Sequence, residues 1–498
     1  MLLAALGLVL LIVSAIHFGA TSVAVALILV ILAVVVADTA IAYSHAPPRA
    51  ARPAAIPGGD PVGAIRDLAG RAGGGVWLGA GDDGQWRFAR PERAVLLLGP
   101  PRSGKTSGVI IPAVLAHDGP TIVTSTKPDV ARATARVRAR DGRVWMFDPT
   151  GTSSPPAGLE QLRWSPVTSA LTWDGAVVIA RAMTVTVGTG TTDRSHWANR
   201  AQALLAPLLH AAAVHDREME TVVDWVMRHE LDEPGILLED QRASRLAFGS
   251  LLGLLNTESR ERSSVFSAAA DALQAYTSEG ALMTAIDPNF DPAAFVAGSD
   301  TVFIWAPAEE QAAVAPVVCG LLAEVRRATY RAHAAGQLSG RVLFALDEVA
   351  NIAPLQELPQ IASEGGGQGL TLLAALQDLS QARARWGKAA DGFLTLFGVK
   401  LLLPGIADTT TLEAVSTTLG EYDRQVISRT SDASPFTDPG KKSRTVSTQR
   451  TRVLSPGEVA GIPAGYGLHL DGTDWELVVL TAAHRDEPWR SLTTSAGS

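Results

Sequence analysis

The eight residues Gly99-Pro100-Pro101-Arg102-Ser103-Gly104-Lys105-Thr106 carry the spacing GxxxxGK[ST] of a phosphate-binding loop. Glycines let successive backbone N–H groups curl around a polyphosphate. A lysine reaches the outer phosphates, and a hydroxyl at the start of the following helix ligates Mg²⁺. Gly99, Pro100, Pro101, Arg102, Ser103, Gly104, Lys105, Thr106 and the next residue, Ser107, are therefore the candidate nucleotide-binding residues. Far downstream, the apolar run Val342-Leu343-Phe344-Ala345-Leu346 ends in Asp347-Glu348, the form of a Walker B motif. Two carboxylates delivered by a buried strand suit Mg²⁺-dependent hydrolysis: Asp347 holds the metal together with Thr106, and Glu348 orients or deprotonates the attacking water. A further run, Leu370 to Leu376, ends in Gln377, whose amide is placed to sense a γ-phosphate. Together these residues predict ATP and Mg²⁺ as ligands, with Lys105, Glu348 and Gln377 as the catalytic candidates.

Chemistry at strand ends requires a sheet to hold it. Ala94 to Leu98 precedes the loop, and Thr121-Ile122-Val123-Thr124-Ser125 and Arg143-Val144-Trp145-Met146-Phe147-Asp148 follow it, separated by helix-like segments. This is the βαβ alternation of a parallel sheet covered on both faces. Between Lys105 and Asp347 lies more chain than such a core needs. From about residue 171 to 285 the apolar positions recur mostly at helical spacing, as in Trp197-Ala198-Asn199-Arg200-Ala201-Gln202-Ala203-Leu204-Leu205, which predicts an inserted all-α domain. The expected organisation is a nucleotide-binding domain in two parts, 76–170 and 286–490, split by that insertion. Trp197 and Trp225 read as helix core rather than base-stacking platforms, and His196, His210 and His215 lack the spacing of metal ligands.

The chain has 498 residues, 47% of them hydrophobic, enough for a sizeable core. A net charge of −8 gives no global attraction for nucleic acid, so any such contact must be local. The single cysteine, Cys319, excludes an intrachain disulfide and reads as a reduced core residue. Residues 1–45 differ from the rest: Met1 to Ile16 and Ala20 to Ala37 are apolar runs without Lys or Arg, each near the lower limit of roughly 17 residues for a spanning helix. They predict a transmembrane helical hairpin. Arg49 and Arg52 then place the downstream chain, and hence both termini, in the cytoplasm. Residues 46–75, rich in Pro, Ala and Gly, read as a flexible linker. Residues 428–452, with Lys441, Lys442, Arg444, Arg450 and Arg452 among Ser, Thr and Pro, read as a mobile basic loop.

Several stretches in order resemble the type IV coupling proteins of bacterial conjugation and secretion, the VirD4/TraG/TraD-like P-loop ATPases. They are GPPRSGKTSGVIIPAVL, TIVTSTKPDVARATARVRARDGRVWMFDPTG, VLFALDEVANIAPLQELPQIASEGGGQGLTLLAALQDLSQARARWG and, near the end, VLSPGEVAGIPAGYGLHLDGTDWELVVL. The resemblance implies an α/β, RecA-like P-loop NTPase domain with an inserted all-α domain, preceded by the membrane hairpin. It implies a homo-hexameric ATPase in the inner membrane that delivers single-stranded DNA with its relaxase, or secreted protein substrates, to a type IV secretion channel. It carries phosphate and Mg²⁺ binding onto Gly99, Gly104, Lys105 and Thr106, the Walker B carboxylates onto Asp347 and Glu348, and the sensor amide onto Gln377. Two alternatives are a membrane receptor in which nucleotide mainly assembles the ring, and a double-stranded DNA translocase of the chromosome-segregation type.

Two departures from that pattern bear on mechanism. Many relatives place an arginine in the glycine-rich turn before the Gln-bearing strand, where this chain reads Ser363-Glu364-Gly365-Gly366-Gly367-Gln368-Gly369. Arg260, Arg262, Arg383 and Arg385 are the candidates to replace it. The relatives' acidic residue ahead of the second-strand lysine is Thr126 here, before Lys127.

Overall fold

A computed structural model of the chain describes residues 60–71, 73–187, 194–431 and 442–493. The two apolar N-terminal runs lie outside them, and among the described residues no helix is long and apolar enough to cross a membrane. The strands are β1 (Trp77–Ala80), β2 (Trp86–Phe88), β3 (Val95–Leu98), β4 (Thr121–Ser125), β5 (Val144–Phe147), β6 (Glu160–Gln161), β7 (Thr301–Trp305), β8 (Val342–Leu346), β9 (Leu370–Leu376) and β10 (Val399–Leu402), followed by β11 (Glu421–Ser431), β12 (Lys442–Arg452), β13 (Tyr466–Asp471) and β14 (Asp474–Val479). Twelve of them form one sheet in the order β2-β1-β14-β13-β10-β3-β9-β8-β4-β7-β5-β6. From β10 to β6 every neighbour is parallel, and β13, β14, β1 and β2 extend the sheet with antiparallel pairings. The large parallel sheet is the mixed α/β fold expected from the alternating runs.

The central strands read as continuous apolar runs because both of their faces are covered. Successive side chains point to opposite faces. Leu96, Leu98, Phe344, Leu346, Leu372 and Ala374 accordingly enter one core, and Val95, Leu97, Leu343, Ala345, Leu373 and Ala375 enter the other. The first core also holds the helices between Pro166 and Ala297 and the long helix Gln311–Ala334, where Cys319 is buried. The inserted helices thus share one apolar core with the sheet, and residues 53–498 form a single compact unit. Trp225 is buried in that core and donates to Glu233 Oε2 at 2.9 Å, while Trp197 packs half-buried against it. His210 accepts the Ser244 N–H at Nε2 and donates from Nδ1 to Ala170 O, so both ring nitrogens serve as struts between helices.

Two expectations change. Residues 61–71, within the segment read as linker, form a helix whose Val62, Ile65 and Ala69 are buried. The i, i+3, i+7 apolar spacing dominates the surrounding Pro and Gly there. Residues 428–452, read as a mobile loop, contain the distal part of β11 and all of β12, which pair antiparallel from Glu421↔Arg452 to Ser431↔Lys442 as a separate two-stranded ribbon. The Thr and Val content of these strands supports pairing.

Arg138 clamps the amino ends of the parallel strands. Fully buried, it donates to the carbonyls of His117, Gly119 and Ser299 and, at 2.8 Å, to Thr301 Oγ1. Burial pushes its guanidinium down to about 10, against the nearby Asp141 carboxylate, which raises it. Replacing Arg138 with Met should lower unfolding stability by about 3 kcal/mol, because the buried carbonyls lose their charged donor. Urea denaturation followed by circular dichroism measures this directly.

Candidate functional site

All strands from β10 to β6 run the same way, so the loops that follow them emerge along one edge of the sheet, where α/β proteins bind ligands. The loop 99–106 leaves β3, Gln377 follows β9, Asp347-Glu348 follow β8, and Thr126-Lys127 follow β4. In the sheet these strands stand side by side in the order β3-β9-β8-β4. Residues 241 positions apart in sequence therefore meet, and Thr106 Oγ1 donates to Asp347 Oδ2 at 2.8 Å.

The loop's shape follows from its residue types. Gly104 has φ +97°, open to glycine and strained for other residues, and Arg102 takes φ +65° without that freedom. Lys105 is buried, donates to Gly99 O at 2.6 Å and Pro100 O at 3.2 Å, and lies 3.9 Å from Glu348 Oε1. The helix after the loop opens with a π turn over Thr106–Ile110, in which Ile111 N–H reaches back to Thr106 O. Pro112, next in sequence, has no N–H to give to the preceding turn, which favours that wider start. Ala483 N–H donates to Ser107 O at 2.9 Å, seating the segment after β14 against the same helix.

Asp347 is 5% exposed, and burial holds its carboxyl above the ordinary 3.8, with the Thr106 hydroxyl and Lys105 opposing the rise. Its backbone carbonyl accepts from Thr124 Oγ1 at 2.9 Å, fixing the end of β8 to β4. Glu348 sits at φ +51°, a left-handed conformation rare for a non-glycine residue, and its Oε2 faces Asn351 Nδ2 at 3.4 Å. A hydroxyl and a carboxylate side by side form an all-oxygen donor set, which fits a small hard cation such as Mg²⁺. A cavity of about 660 Å³ opens over Lys105, Thr106, Lys127, Asp347, Glu348 and His484. Its neighbour, about 460 Å³, lies on the other flank of the loop between Ser107, Gly108, Tyr466, Leu480 and Arg485. The loop residues Pro101, Arg102, Ser103 and Gly104 border both.

Gln377 is the candidate that the structure keeps apart. It follows β9, between the two motifs, but lines neither cavity, and its own N–H donates to Gln381 Oε1 at 3.0 Å. In the turn that lacks the relatives' arginine, a side chain at Gly366 would meet Glu92 O at 2.0 Å, whereas Gly367 faces open space. His484, Arg485 and Tyr466 were not foreseen as cavity-lining residues. They come from the C-terminal strands and the segment beyond, and no motif in the sequence ties those to the loop.

The profile of the type IV secretory system conjugative DNA transfer family matches residues 63–466. The chain belongs to that family. Among solved structures it is similar to the unbound monoclinic form of the bacterial conjugative coupling protein TrwBΔN70, at 18% identity and a TM-score of 0.61 over 84% of this chain and 91% of that one. The plasmid coupling protein TrwB in complex with ADP and Mg²⁺ matches at 18% identity and a TM-score of 0.58, over 80% and 87%. TrwB with a non-hydrolysable ATP analogue matches at 19% and 0.57, over 79% and 86%. At these identities the likeness is one of fold. No protein of curated function matches the sequence.

Within this coupling-protein fold, Asp347 supplies a pH-dependent test. Its folded pKa lies above the unfolded value, so across the interval between them the folded state keeps a proton that the unfolded state has released. Stability therefore falls as pH rises through that interval, and at pH 7 the buried carboxylate is a net cost. Asp347→Asn should melt no lower than wild type at pH 7 without nucleotide, yet weaken Mg²⁺-dependent nucleotide binding on the order of 10- to 100-fold. Calorimetric melting with and without Mg-ADP reads both.

Proposed function

We propose that this coupling-protein family member is a membrane-anchored ATPase that uses Mg-ATP at the 99–106 loop to drive delivery of single-stranded DNA with its relaxase, or of secreted proteins, into a type IV secretion channel. The observation that carries the ATPase reading is the 2.8 Å contact between the Thr106 hydroxyl and the Asp347 carboxylate, with Glu348 3.9 Å from the Lys105 ammonium. The two apolar runs before residue 45 support anchoring, with the ATPase in the cytoplasm. TrwB, similar in fold, has been captured with ADP and Mg²⁺ and with an ATP analogue, which supports the same ligands here.

In this reading, the backbone from Gly99 to Thr106 with Ser107 cradles the phosphates, and Lys105 turns from the Gly99 and Pro100 carbonyls to the outer phosphates. Thr106 and Asp347 hold Mg²⁺, which when bound neutralises charge on the β- and γ-oxygens. Glu348 orients the attacking water and accepts its proton. Gln377, at the end of the strand between the two motifs, would register the γ-phosphate only by turning its side chain toward the loop, since it lines neither cavity as it stands. A homo-hexamer, as the family resemblance implies, would set these sites around a channel.

Lys105→Ala should abolish nucleotide binding and turnover. Glu348→Gln should keep ATP binding while kcat falls on the order of 10²- to 10⁴-fold, the usual contribution of a positioned general base. ATP turnover of the full chain in detergent, with and without single-stranded DNA at low salt, tests the cargo. Stimulation supports a DNA motor, and turnover that ignores DNA contradicts it in favour of a protein-substrate receptor.

A further inference from the structure

The glycine turn at 365–367 supplies no arginine, yet phosphoryl transfer without a cation on the transferred group is slow. Three of the four arginines suggested in its place have side-chain contacts of their own. Arg262 donates to Leu255 O at 2.9 Å, Arg383 lies 3.9 Å from Asp391, and Arg385 donates to Ala350 O at 2.9 Å. Arg260 lies on the helix Ser259–Ala272 within the inserted segment. Arg102 differs from all of them. It is the fourth residue of the phosphate loop itself, exposed, and borders the cavity that contains Lys105, Thr106, Asp347 and Glu348. Among the described residues its guanidinium has no hydrogen-bond or ion-pair partner.

Its backbone sharpens the point. At φ +65° a glycine would be free of the strain that a Cβ brings, and this loop already uses glycine two residues later at φ +97°. An unpaired cation held in a strained conformation at the rim of a triphosphate site fits a role toward the phosphates better than one in stability.

We propose that Arg102 is a catalytic residue acting in cis: its guanidinium grips the γ-phosphoryl oxygens of ATP bound to its own loop and supplies the charge that the 365–367 turn does not. This rests on the ATPase reading above. In the step it serves, the attacking water forms the new O–P bond and passes its proton to Glu348. The bond from the γ-phosphorus to the β–γ bridging oxygen breaks, and ADP leaves with that electron pair. Arg102 neither gains nor loses a proton. It donates hydrogen bonds to oxygens whose charge is redistributed as the bond breaks.

Arg102→Gly in the full chain is the variant of choice, because glycine adopts φ +65° without strain and folding is not at risk. The expected result is a melting temperature no lower than wild type and an ATP affinity that falls by much less than the turnover does. With these should come a kcat reduced on the order of 100-fold or more and loss of the stable Mg²⁺–ADP–aluminium fluoride complex that mimics the transferring phosphoryl group. Mixing Arg102→Gly chains with Lys105→Ala chains should restore nothing, since each nucleotide needs both residues from one chain. Wild-type turnover or wild-type fluoride-complex capture by Arg102→Gly, or recovery of activity on mixing, overturns the assignment. Lys105→Ala separates the two readings. If it is inactive while Arg102→Gly is intact, only the arginine's role fails; if it hydrolyses ATP like wild type, the assignment of turnover to the 99–106 loop fails; and if the wild-type chain itself does not hydrolyse ATP, the ATPase reading fails.

Discussion

The Thr106–Asp347 hydrogen bond is the contact on which the site depends, and it exists because β3 and β8 are parallel with a single strand between them. Two strand spacings amount to about 10 Å, which a loop and two side chains can close only if both strands end at the same edge. Parallel pairing enforces this: Leu98 is level with Leu376, and Leu346 with Ala374. Reversing one strand would put Asp347 at the far edge, with Arg138.

The sheet tolerates a long helical excursion between its two motifs because burial is continuous across the join. The inserted helices pack on the face that also receives Leu96, Phe344 and Leu372, so the excursion adds to the first core without splitting it. The second core, under Val95, Leu343 and Leu373, is closed by the helix of residues 61–71, the loop helix and Trp489. The site edge is thus held from both faces. Rigidity there matters because Asp347 keeps a buried carboxyl, which is tolerable only with Thr106 and Lys105 fixed beside it.

What the sequence made legible was the part governed by local rules. Val342–Leu346 and Leu370–Leu376 are apolar throughout because both faces are buried, and the loop motif is a local geometry that eight residues specify. The helix at 61–71 was hidden because its apolar stripe sits among Pro and Gly, which dominate composition but not spacing. The β11–β12 ribbon was hidden because its sequence is dominated by Ser, Thr, Arg and Gln and carries no regular apolar alternation. The cavity walls from Tyr466, His484 and Arg485 depend on antiparallel strands added at the sheet edge, and only tertiary pairing brings those to the loop. Arg102 was visible only as one variable letter of the motif. Its significance comes from a backbone angle and from its place at the rim of the cavity over Lys105 and Asp347, neither of which a sequence displays.

The most direct test of the central claim is a double-mutant cycle on Mg-ATP affinity with Thr106→Ala, Asp347→Asn and the pair, measured by titration calorimetry of the full chain. If the two side chains hold one metal, removing the second after the first should cost little, and the double variant should bind within about 0.5 kcal/mol of the weaker single variant. Losses that simply add would mean that Thr106 and Asp347 act on separate ligands, and the shared site described here would be wrong.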